Sequence, residues 1–181
     1  MKYAYADPPY LGKSAFNAKH YYGKMHVDAV DYDKIETHKA LVDRLCAEFD
    51  GWALSLHTPS LKDILNICPD DVRIGAWTKS FASFKPNVNP AYTWEPVIFR
   101  GCRKKRDRRG PKIRDYCNAP IPMIAGFPGE KPGVFCWWVF DMLGMRPEDE
   151  FTDIFPGSGA VSRAYLEWKR AYGNAPLFPI A

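Results

Sequence analysis

The sequence predicts an α/β protein with a mostly parallel sheet, and two observations support this. Short apolar runs typical of strands alternate along the chain with segments whose apolar residues recur at helical spacing. The chain has 181 residues, of which 46% are hydrophobic and 25% are charged, enough to bury one sizeable core. We therefore expect a single domain over residues 1–181.

The first half of the chain begins with a strand over residues 1–6. Two prolines end it, because proline has no N–H to donate to a sheet ladder. Residues 11–30 have no steady period and are expected to form a loop, and helical spacing then predicts a helix over 31–49. A strand follows over 52–56, and Thr58 or Ser60 is expected to cap the next short helix.

The second half of the chain begins with strands over 72–78 and 94–99. Pro96 lies inside the second of these, which indicates a sheet edge or a bulge. Residues 113–129 contain three prolines and are expected to form a loop. A helix is predicted from Lys131-Pro132 to Leu143, because proline suits the first turn of a helix. A strand over 150–155 and a helix over 161–172 complete the pattern.

Charge is concentrated in one segment of the chain. The formal net charge is +4, but residues 100–114 hold nine lysines and arginines and one aspartate, so the rest of the chain is mildly acidic. Cations at this density favour a polyanion such as DNA or RNA over a merely solvated face. The predicted phosphate-binding residues in this basic segment are Arg103, Lys104, Lys105, Arg106, Arg108, Arg109 and Lys112.

The composition argues against several classes of protein. Five cysteines are an odd number and form no C-x-x-C pair, which favours reduced thiols over a disulfide framework or a zinc site. The four histidines have no metal-ligand spacing, so no metal is expected and they are assigned to the surface or to packing. The chain starts without an apolar signal sequence, and its most apolar later stretch is too short for a bilayer span. We expect a cytoplasmic protein with no membrane partner.

Two short motifs follow predicted strands. The first is DPPY at residues 7–10, where two prolines hold an aspartate and a tyrosine rigidly at the end of the first strand. The second is DIFPGSG at residues 153–159, a glycine turn between the last strand and the last helix. Ligands of open α/β sheets bind at the carboxyl ends of strands, where glycines allow close approach to the backbone. The glycine turn matches neither a P-loop nor the full G-x-G-x-x-G pattern.

Taken together, the motifs resemble those of amino-methyltransferases that use S-adenosylmethionine. Asp7-Pro8-Pro9-Tyr10 is similar to the catalytic motif of that family, and the 153–159 segment is similar to its cofactor-binding motif. The segments RIGAWTKS and WEPVIF resemble the Trp-x-Lys strand and the Glu-containing strand of its adenine-specific members. The Lys131-Pro132 helix resembles the helix that closes over the methionine end of the cofactor.

The order of these motifs, with the catalytic motif first, resembles the family's β arrangement. Nearly all 181 residues take part, and the chain looks like a small phage-encoded DNA methyltransferase. The resemblance implies a Rossmann-like fold with circularly ordered motifs and S-adenosylmethionine as the cofactor. The implied cofactor-binding residues are Asp7, Lys131, Pro132, Asp153, Phe155, Pro156, Gly157, Ser158 and Gly159.

The chemistry implied by the resemblance is methyl transfer to the exocyclic amine of a base flipped out of double-stranded DNA. Asp7 and the carbonyl of Pro8 would accept the two N–H bonds of the amine, Pro9 would hold the motif rigid, and Tyr10 would stack on the base. Aspartate in the first position favours adenine N6. Cytosine N4 stays an alternative, and protein-glutamine methyltransferases share a Pro-Pro-Tyr motif.

A target-recognition insert is expected at about residues 80–129. It is short, so it would read few bases or work beside a second subunit, and the resemblance allows a homodimer. Lys79 is expected at the mouth of the catalytic cleft, in contact with DNA. A phage-encoded enzyme would act in the cytoplasm of a bacterial host.

One feature departs from the family pattern. An acidic residue normally follows the glycine helix and binds the ribose of the cofactor, but no aspartate or glutamate follows Glu167. The alternative to an active enzyme is therefore a degenerate methyltransferase fold that binds nucleic acid without turnover.

Overall fold

The structure is a computed structural model that describes residues 1–12, 30–80, 88–103, 113–121 and 130–173. The described chain contains the strands β1 (Lys2–Ala6), β2 (Gly51–Ser55), β3 (Arg73–Thr78), β4 (Trp94–Arg100), β5 (Tyr116–Asn118) and β6 (Glu150–Asp153). Its α-helices are α1 (Ile35–Glu48), α2 (Leu61–Leu65), α3 (Gly133–Leu143) and α4 (Ala160–Gly173). Short 3-10 turns cover Asp31–Asp33 and Thr58–Ser60. The predicted strands and helices are confirmed, with ends that shift by one or two residues in most cases.

The six described strands form a single sheet in the order β5-β3-β4-β2-β1-β6. Strand β1 lies in its interior and pairs in parallel with β2 and β6, and β3 pairs in parallel with β5. Strand β4 is antiparallel to both of its neighbours, β2 and β3. Five strands therefore run in one direction and one runs against them, which confirms a mostly parallel sheet.

Two expectations about the second half of the chain are wrong. Strand β4 is an interior strand, so Pro96 does not mark an edge. Pro96 is opposite Ala76 of β3, and the Ala76 N–H donates to the carbonyl of Asp115 on the other side of β3. The carbonyl of Pro96 accepts a hydrogen bond from the N–H of Leu56, just beyond the end of β2. The N–H that proline lacks would face Leu56, one residue beyond β2, so the paired part of β2 and β4 loses no donor. Residues 116–118, expected to be loop, form β5, which is only three residues long and shows no alternation that sequence could reveal.

The sheet is covered by helices on both faces, so the domain has three layers. On β1, Tyr3 and Tyr5 point into the core shared with α3 and α4, whereas Ala4 and Ala6 point into the core shared with α1 and α2. All four of these side chains are buried. Burial on both faces explains why β1 shows little alternation of apolar and polar residues.

The carboxyl ends of the five parallel strands lie at one edge of the sheet, which we call the carboxyl edge. The start of β4 lies there too, because β4 runs in the opposite direction. The start of α3 and the turn between β6 and α4 also lie there, because the helices return against the strands. The predicted DPPY and glycine motifs therefore meet at the carboxyl edge. This is where α/β proteins bind ligands.

The opposite edge, which we call the amino edge, holds the described ends of the basic segment. The chain leaves β4 there, and the Arg103 N–H bonds to the carbonyl of Leu143 at the end of α3. The chain returns through Asp115, which bonds to Arg73 at the start of β3. Both ends of the basic segment are thus on the far side of the sheet from DPPY.

The described helices are all too short or too polar to cross a bilayer.

Candidate active site

Asp7 and Tyr10 lie together at the carboxyl edge. Strand β1 ends at Ala6, and the two prolines that follow turn the chain so that the Tyr10 hydroxyl lies 3.2 Å from Asp7 Oδ1. The Asp7 side chain is 25% exposed and can be reached from solvent. This geometry puts the Asp7 carboxylate beside Tyr10, and the catalytic role expected of the motif stays a prediction.

Lys131 is one of two cations in the site. It lies just before α3, and its ammonium is 2.9 Å from Asp7 Oδ2 and 3.4 Å from the Tyr10 hydroxyl. Its side chain is only 7% exposed. Burial opposes its charge, but the carboxylates of Asp7 and Glu95 outweigh that cost and raise the pKa of Lys131. A charged lysine therefore contacts both Asp7 and Tyr10 of the DPPY motif.

Glu95 completes the cluster, although it was not among the predicted site residues. It lies near the start of β4, where its Oε2 accepts a hydrogen bond from the Tyr10 hydroxyl at 3.0 Å and lies 3.9 Å from the Lys131 ammonium. Its Oε1 is paired with the ammonium of Lys79. Burial alone would raise the pKa of Glu95, but Lys131 and Lys79 lower it, so the carboxyl group is ionised.

The hydroxyl of Tyr10 lies between two carboxylates but has one proton to donate. Glu95 is the nearer acceptor, at 3.0 Å against 3.2 Å for Asp7. Burial first, and then both carboxylates, raise the pKa of Tyr10 well above its ordinary value, so the hydroxyl stays protonated. With that proton directed to Glu95, Asp7 Oδ1 keeps its capacity to accept a hydrogen bond from a ligand.

The cluster of Asp7, Glu95, Lys79 and Lys131, which we call the charged cluster, balances two negative with two positive groups. It rests on Trp77, whose ring centroid lies 4.8 Å from the Lys79 ammonium and 5.4 Å from that of Lys131. Trp77 itself is buried and donates to the carbonyl of Ala119. The structure thus places Lys79 inside the site and paired with Glu95; its predicted contact with DNA stays a prediction.

His57 lies on the aromatic side of the site. It follows β2, and its ring is stacked on that of Tyr10, with 5.4 Å between centroids and 15° between planes. Its Nδ1 is 2.8 Å from Ser60 Oγ, and Ser60 Oγ donates to the carbonyl of His57 at 3.1 Å. Neither Thr58 nor Ser60 makes the side-chain cap that the sequence suggested, because Ser60 is engaged with His57 instead.

Asp153 is the last residue of β6 and pairs with Tyr5 of β1. Tyr5 lies two residues before Asp7. Its Oδ2 accepts a hydrogen bond from Ser162 at 3.1 Å, and its Oδ1 is buried with no hydrogen-bond partner among the described residues. An unsatisfied buried acceptor of this kind is costly unless a donor occupies the space in front of it.

The glycine turn connects Asp153 to α4. Gly157 and Gly159 have φ of 46° and 77°, a backbone conformation that residues with a Cβ rarely adopt. Within the described part of the chain, a Cβ on Gly157 would meet only the carbonyl of Phe155, at 3.9 Å, so these residues leave space beside the turn. Arg163 of α4 braces the turn by donating to the carbonyl of Ser158 at 2.7 Å. The remaining predicted cofactor residues, Phe155, Pro156 and Pro132, flank this turn or precede α3.

Arg103 is held in a structural ion pair. Its guanidinium donates to both carboxylate oxygens of Asp149, at 2.9 and 2.6 Å, and to the carbonyl of Gly144 at 3.0 Å. Asp149 is 3% exposed and also binds the amino group of Met1 at 2.9 Å. Burial opposes its ionisation, but these cationic partners lower the pKa of Asp149. Arg103 therefore anchors the amino edge, and its predicted phosphate contact would compete with this pair.

The other predicted basic residues lie outside the described part of the chain. They are Lys104, Lys105, Arg106, Arg108, Arg109 and Lys112. Among the residues that the structure does describe, no group of histidine, cysteine, aspartate and glutamate side chains is arranged to hold a metal ion.

The geometry brings together two residues that sequence reasoning had not assigned to the site. Glu95 had a sequence signal, since it is a charged residue in the otherwise apolar WEPVIF strand. His57 had none, because its place beside Tyr10 depends on the pairing of β1 with β2.

Comparison with known proteins gives matches among solved structures. No protein-family model and no curated protein sequence matches the chain. The crystal structure of the M1.HpyAVI–SAM complex matches with a TM-score of 0.57 and 13% sequence identity, over 93% of this chain and 78% of the other. The crystal structure of M1.HpyAVI matches with a TM-score of 0.55 and 13% identity, over 92% of this chain and 76% of the other. The chain has the Rossmann-like fold of S-adenosylmethionine-dependent methyltransferases.

Proposed function

We propose that the protein transfers a methyl group from S-adenosylmethionine to the exocyclic amine of a nucleic-acid base, with adenine N6 of DNA as the target. The observation that carries the proposal is the position of Asp7 and Tyr10 at the carboxyl edge, one strand away from Asp153 and the glycine turn. The likeness in fold to M1.HpyAVI, which was crystallised with SAM, supports the choice of cofactor.

The residues around the glycine turn fit S-adenosylmethionine. The buried and unsatisfied Asp153 Oδ1 suits the ammonium group of its methionine part, a donor that would satisfy the oxygen. The open space beside Gly157 allows a ligand to approach the backbone closely. S-adenosylmethionine supplies an electrophilic methyl group on a sulfonium sulfur.

The charged cluster prepares an acceptor for the target amine. An exocyclic amine conjugated to its ring is a poor nucleophile, and hydrogen bonds to its N–H groups turn its lone pair out of the ring plane. Asp7 Oδ1 is available for one of these bonds, while Lys131 holds Oδ2 at 2.9 Å and fixes the orientation of the carboxylate. The carbonyl of Pro8 is the proposed second acceptor. The proton that the amine gives up can pass to Asp7, which is 25% exposed, and from there to water.

The order of groups in the site is consistent with one planar base in a pocket walled by Tyr10. The Tyr10 ring is held at its hydroxyl by Glu95 at 3.0 Å, so it offers a fixed face for stacking. The aspartate in the first position of DPPY favours adenine N6 over cytosine N4. The basic segment supports DNA as the polymer that carries the base.

The test is incubation of the protein with isotope-labelled S-adenosylmethionine and unmethylated genomic DNA, followed by digestion and mass spectrometry of the nucleosides. We expect labelled N6-methyladenine from the wild type and none from Asp7→Ala, which should still bind the cofactor because Asp7 is needed for the amine. Asp43→Ala, which removes an exposed carboxylate on α1, is the matched control and should be fully active.

Other products would change the assignment. Labelled N4-methylcytosine would move the target to cytosine. DNA binding with no labelled nucleoside would indicate the degenerate nucleic-acid-binding protein, and equal turnover by Asp7→Ala and wild type would remove DPPY from the active site.

A further inference from the structure

The imidazole of His57 covers one face of the Tyr10 ring. The two rings are nearly parallel, at 15°, with centroids 5.4 Å apart. This is the offset arrangement that aromatic pairs prefer, and it contributes beyond simple burial of apolar surface. A planar ligand that stacks on Tyr10 in this arrangement must therefore use the opposite face.

The imidazole is itself fixed by Ser60. The Ser60 hydroxyl oxygen lies 2.8 Å from Nδ1 of His57 and 3.1 Å from the carbonyl oxygen of the same residue. The contact at Nδ1 holds the imidazole whichever of the two atoms is the donor. Ser60 is buried in the 3-10 turn Thr58–Ser60, which contains Pro59 and restricts the backbone. The Ser60 contact and the restricted turn therefore hold the His57 ring in one orientation.

Tyr10 is held at two independent points. Its hydroxyl is bound by Glu95 at 3.0 Å and receives a hydrogen bond from Lys131 at 3.4 Å, which fixes one end of the ring. The contact with His57 fixes the plane of the ring around that end. Without His57 the ring could rotate about its held hydroxyl and lose the orientation that stacking requires.

We infer that His57 is a positioning residue that sets the plane of Tyr10 for a stacked nucleobase. The inference rests on the proposed function, because it concerns the same pocket. What the site needs from residue 57 is a flat ring in contact with Tyr10.

The test compares wild type with His57→Phe, which keeps a flat ring, and His57→Leu, which keeps apolar volume without one. Adenosine is titrated into protein labelled with fluorotyrosine and saturated with S-adenosylhomocysteine, and the fluorine signal of Tyr10 is followed after assignment with Tyr10→Phe. We expect His57→Leu to weaken adenosine binding by about three- to tenfold, the size of an aromatic stacking contribution, and His57→Phe to restore it to within about twofold. Affinity for S-adenosylhomocysteine should be the same in all three proteins.

His38→Leu is the control for loss of an imidazole elsewhere. His38 is a buried residue of α1 and contacts Tyr32 edge to face, so its replacement should lower the unfolding temperature but leave adenosine binding unchanged. Equal adenosine affinity for wild type and His57→Leu, or equal weakening in His57→Phe and His57→Leu, would overturn the inference. So would an adenosine titration of wild type that leaves the Tyr10 signal unmoved.

The same variants separate this inference from the proposed function. If the wild type methylates no DNA but adenosine binding depends on a flat ring at position 57, the proposed function fails and the positioning role stands. If the wild type methylates DNA and kcat/KM for DNA is the same in His57→Leu, the positioning role fails alone.

Discussion

Replacing Lys131 with methionine removes the ammonium that lies between Asp7 and Glu95 and keeps a side chain of similar length. The lysine is 7% exposed and is 2.9 Å from Asp7 Oδ2 and 3.9 Å from Glu95 Oε2. The variant leaves two carboxylates facing each other with only Lys79 to balance them. We expect Lys131→Met to destabilise the fold, because a carboxylate charge is left without a partner at a mostly buried position.

The size of the effect follows from the exposure of the partners. Removing one member of a fully buried pair costs about 3–5 kcal/mol. Here Asp7 is 25% exposed and Lys79 still neutralises Glu95, so about 2 kcal/mol is expected. The double variant Lys131→Met/Asp7→Asn should recover about half of that loss, since it neutralises the carboxylate that Lys131 no longer pairs.

The loss of stability should depend on pH in a defined direction. The folded-state pKa of Glu95 lies below its ordinary value of 4.5, so the stabilisation from its ionised form is present above that pH and is lost as pH falls through the lowered pKa. The stability difference between wild type and Lys131→Met should therefore be complete near neutral pH. It should shrink in acid, where Glu95 is protonated in both proteins.

The assay is urea unfolding followed by tryptophan fluorescence at a series of pH values. The matched control is Lys39→Met, which breaks an exposed ion pair with Asp43 on α1 and should cost at most about 0.5 kcal/mol. If Lys131→Met and Lys39→Met unfold at the same urea concentration at neutral pH, Lys131 is not a buried partner of the two carboxylates. A difference that grows in acid would contradict the ionised state of Glu95.

Three further predictions concern the cofactor turn, the amino edge and the basic segment. Gly157→Val should weaken S-adenosylmethionine binding at least tenfold, measured by calorimetry. A φ of 46° is strained for valine, and the valine side chain would fill the space beside the turn. Unchanged affinity in a folded variant would remove the turn from the site. Arg103→Ala should lower stability by about 2 kcal/mol without changing cofactor affinity, because the buried Asp149 carboxylate keeps only the Met1 amino group as a cationic partner. A shift in thermal unfolding near zero would contradict the anchoring role. Neutralising Lys104 and Lys105 should weaken binding to all DNA duplexes alike. The slope of log affinity against log salt concentration should fall by about 0.9 for each phosphate that the segment no longer neutralises. Equal slopes for variant and wild type in fluorescence anisotropy would make the segment a solvated surface.

The fold could be predicted from sequence because its elements depend on local patterns. Helix α1 has apolar residues at helical spacing, and β1 stops at two prolines. Strand β5 is stabilised by three residue pairs with β3, and a partner 40 residues away in sequence leaves no local trace. The sequence favours an edge position for Pro96 because the missing N–H is visible in sequence, whereas the direction in which that N–H would point is not.

The site divides in the same way. Asp7 and Tyr10 are three residues apart and could be recognised as one unit, but Glu95 reaches Tyr10 across 85 residues of chain. Lys131 was expected at the cofactor, and the structure shows that its ammonium contacts Asp7. Arg103 has the sequence context of a basic surface, yet its partner Asp149 is 46 residues further along the chain. For side chains whose partners lie far away in sequence, the sequence shows the residue type but not the contacts that the side chain makes.

The reversed direction of β4 bears on the proposed function, because it sets the distance between the basic segment and Asp7 along a bound duplex. The described ends of the basic segment lie at the amino edge and Asp7 lies at the carboxyl edge, separated by the six residues of β3, or about 20 Å. Duplex DNA rises about 3.4 Å per base pair, so this span corresponds to about six base pairs. A basic segment that grips phosphates near its own anchors would do so about half a helical turn from the flipped base, and its footprint would extend to one side of the target rather than surround it.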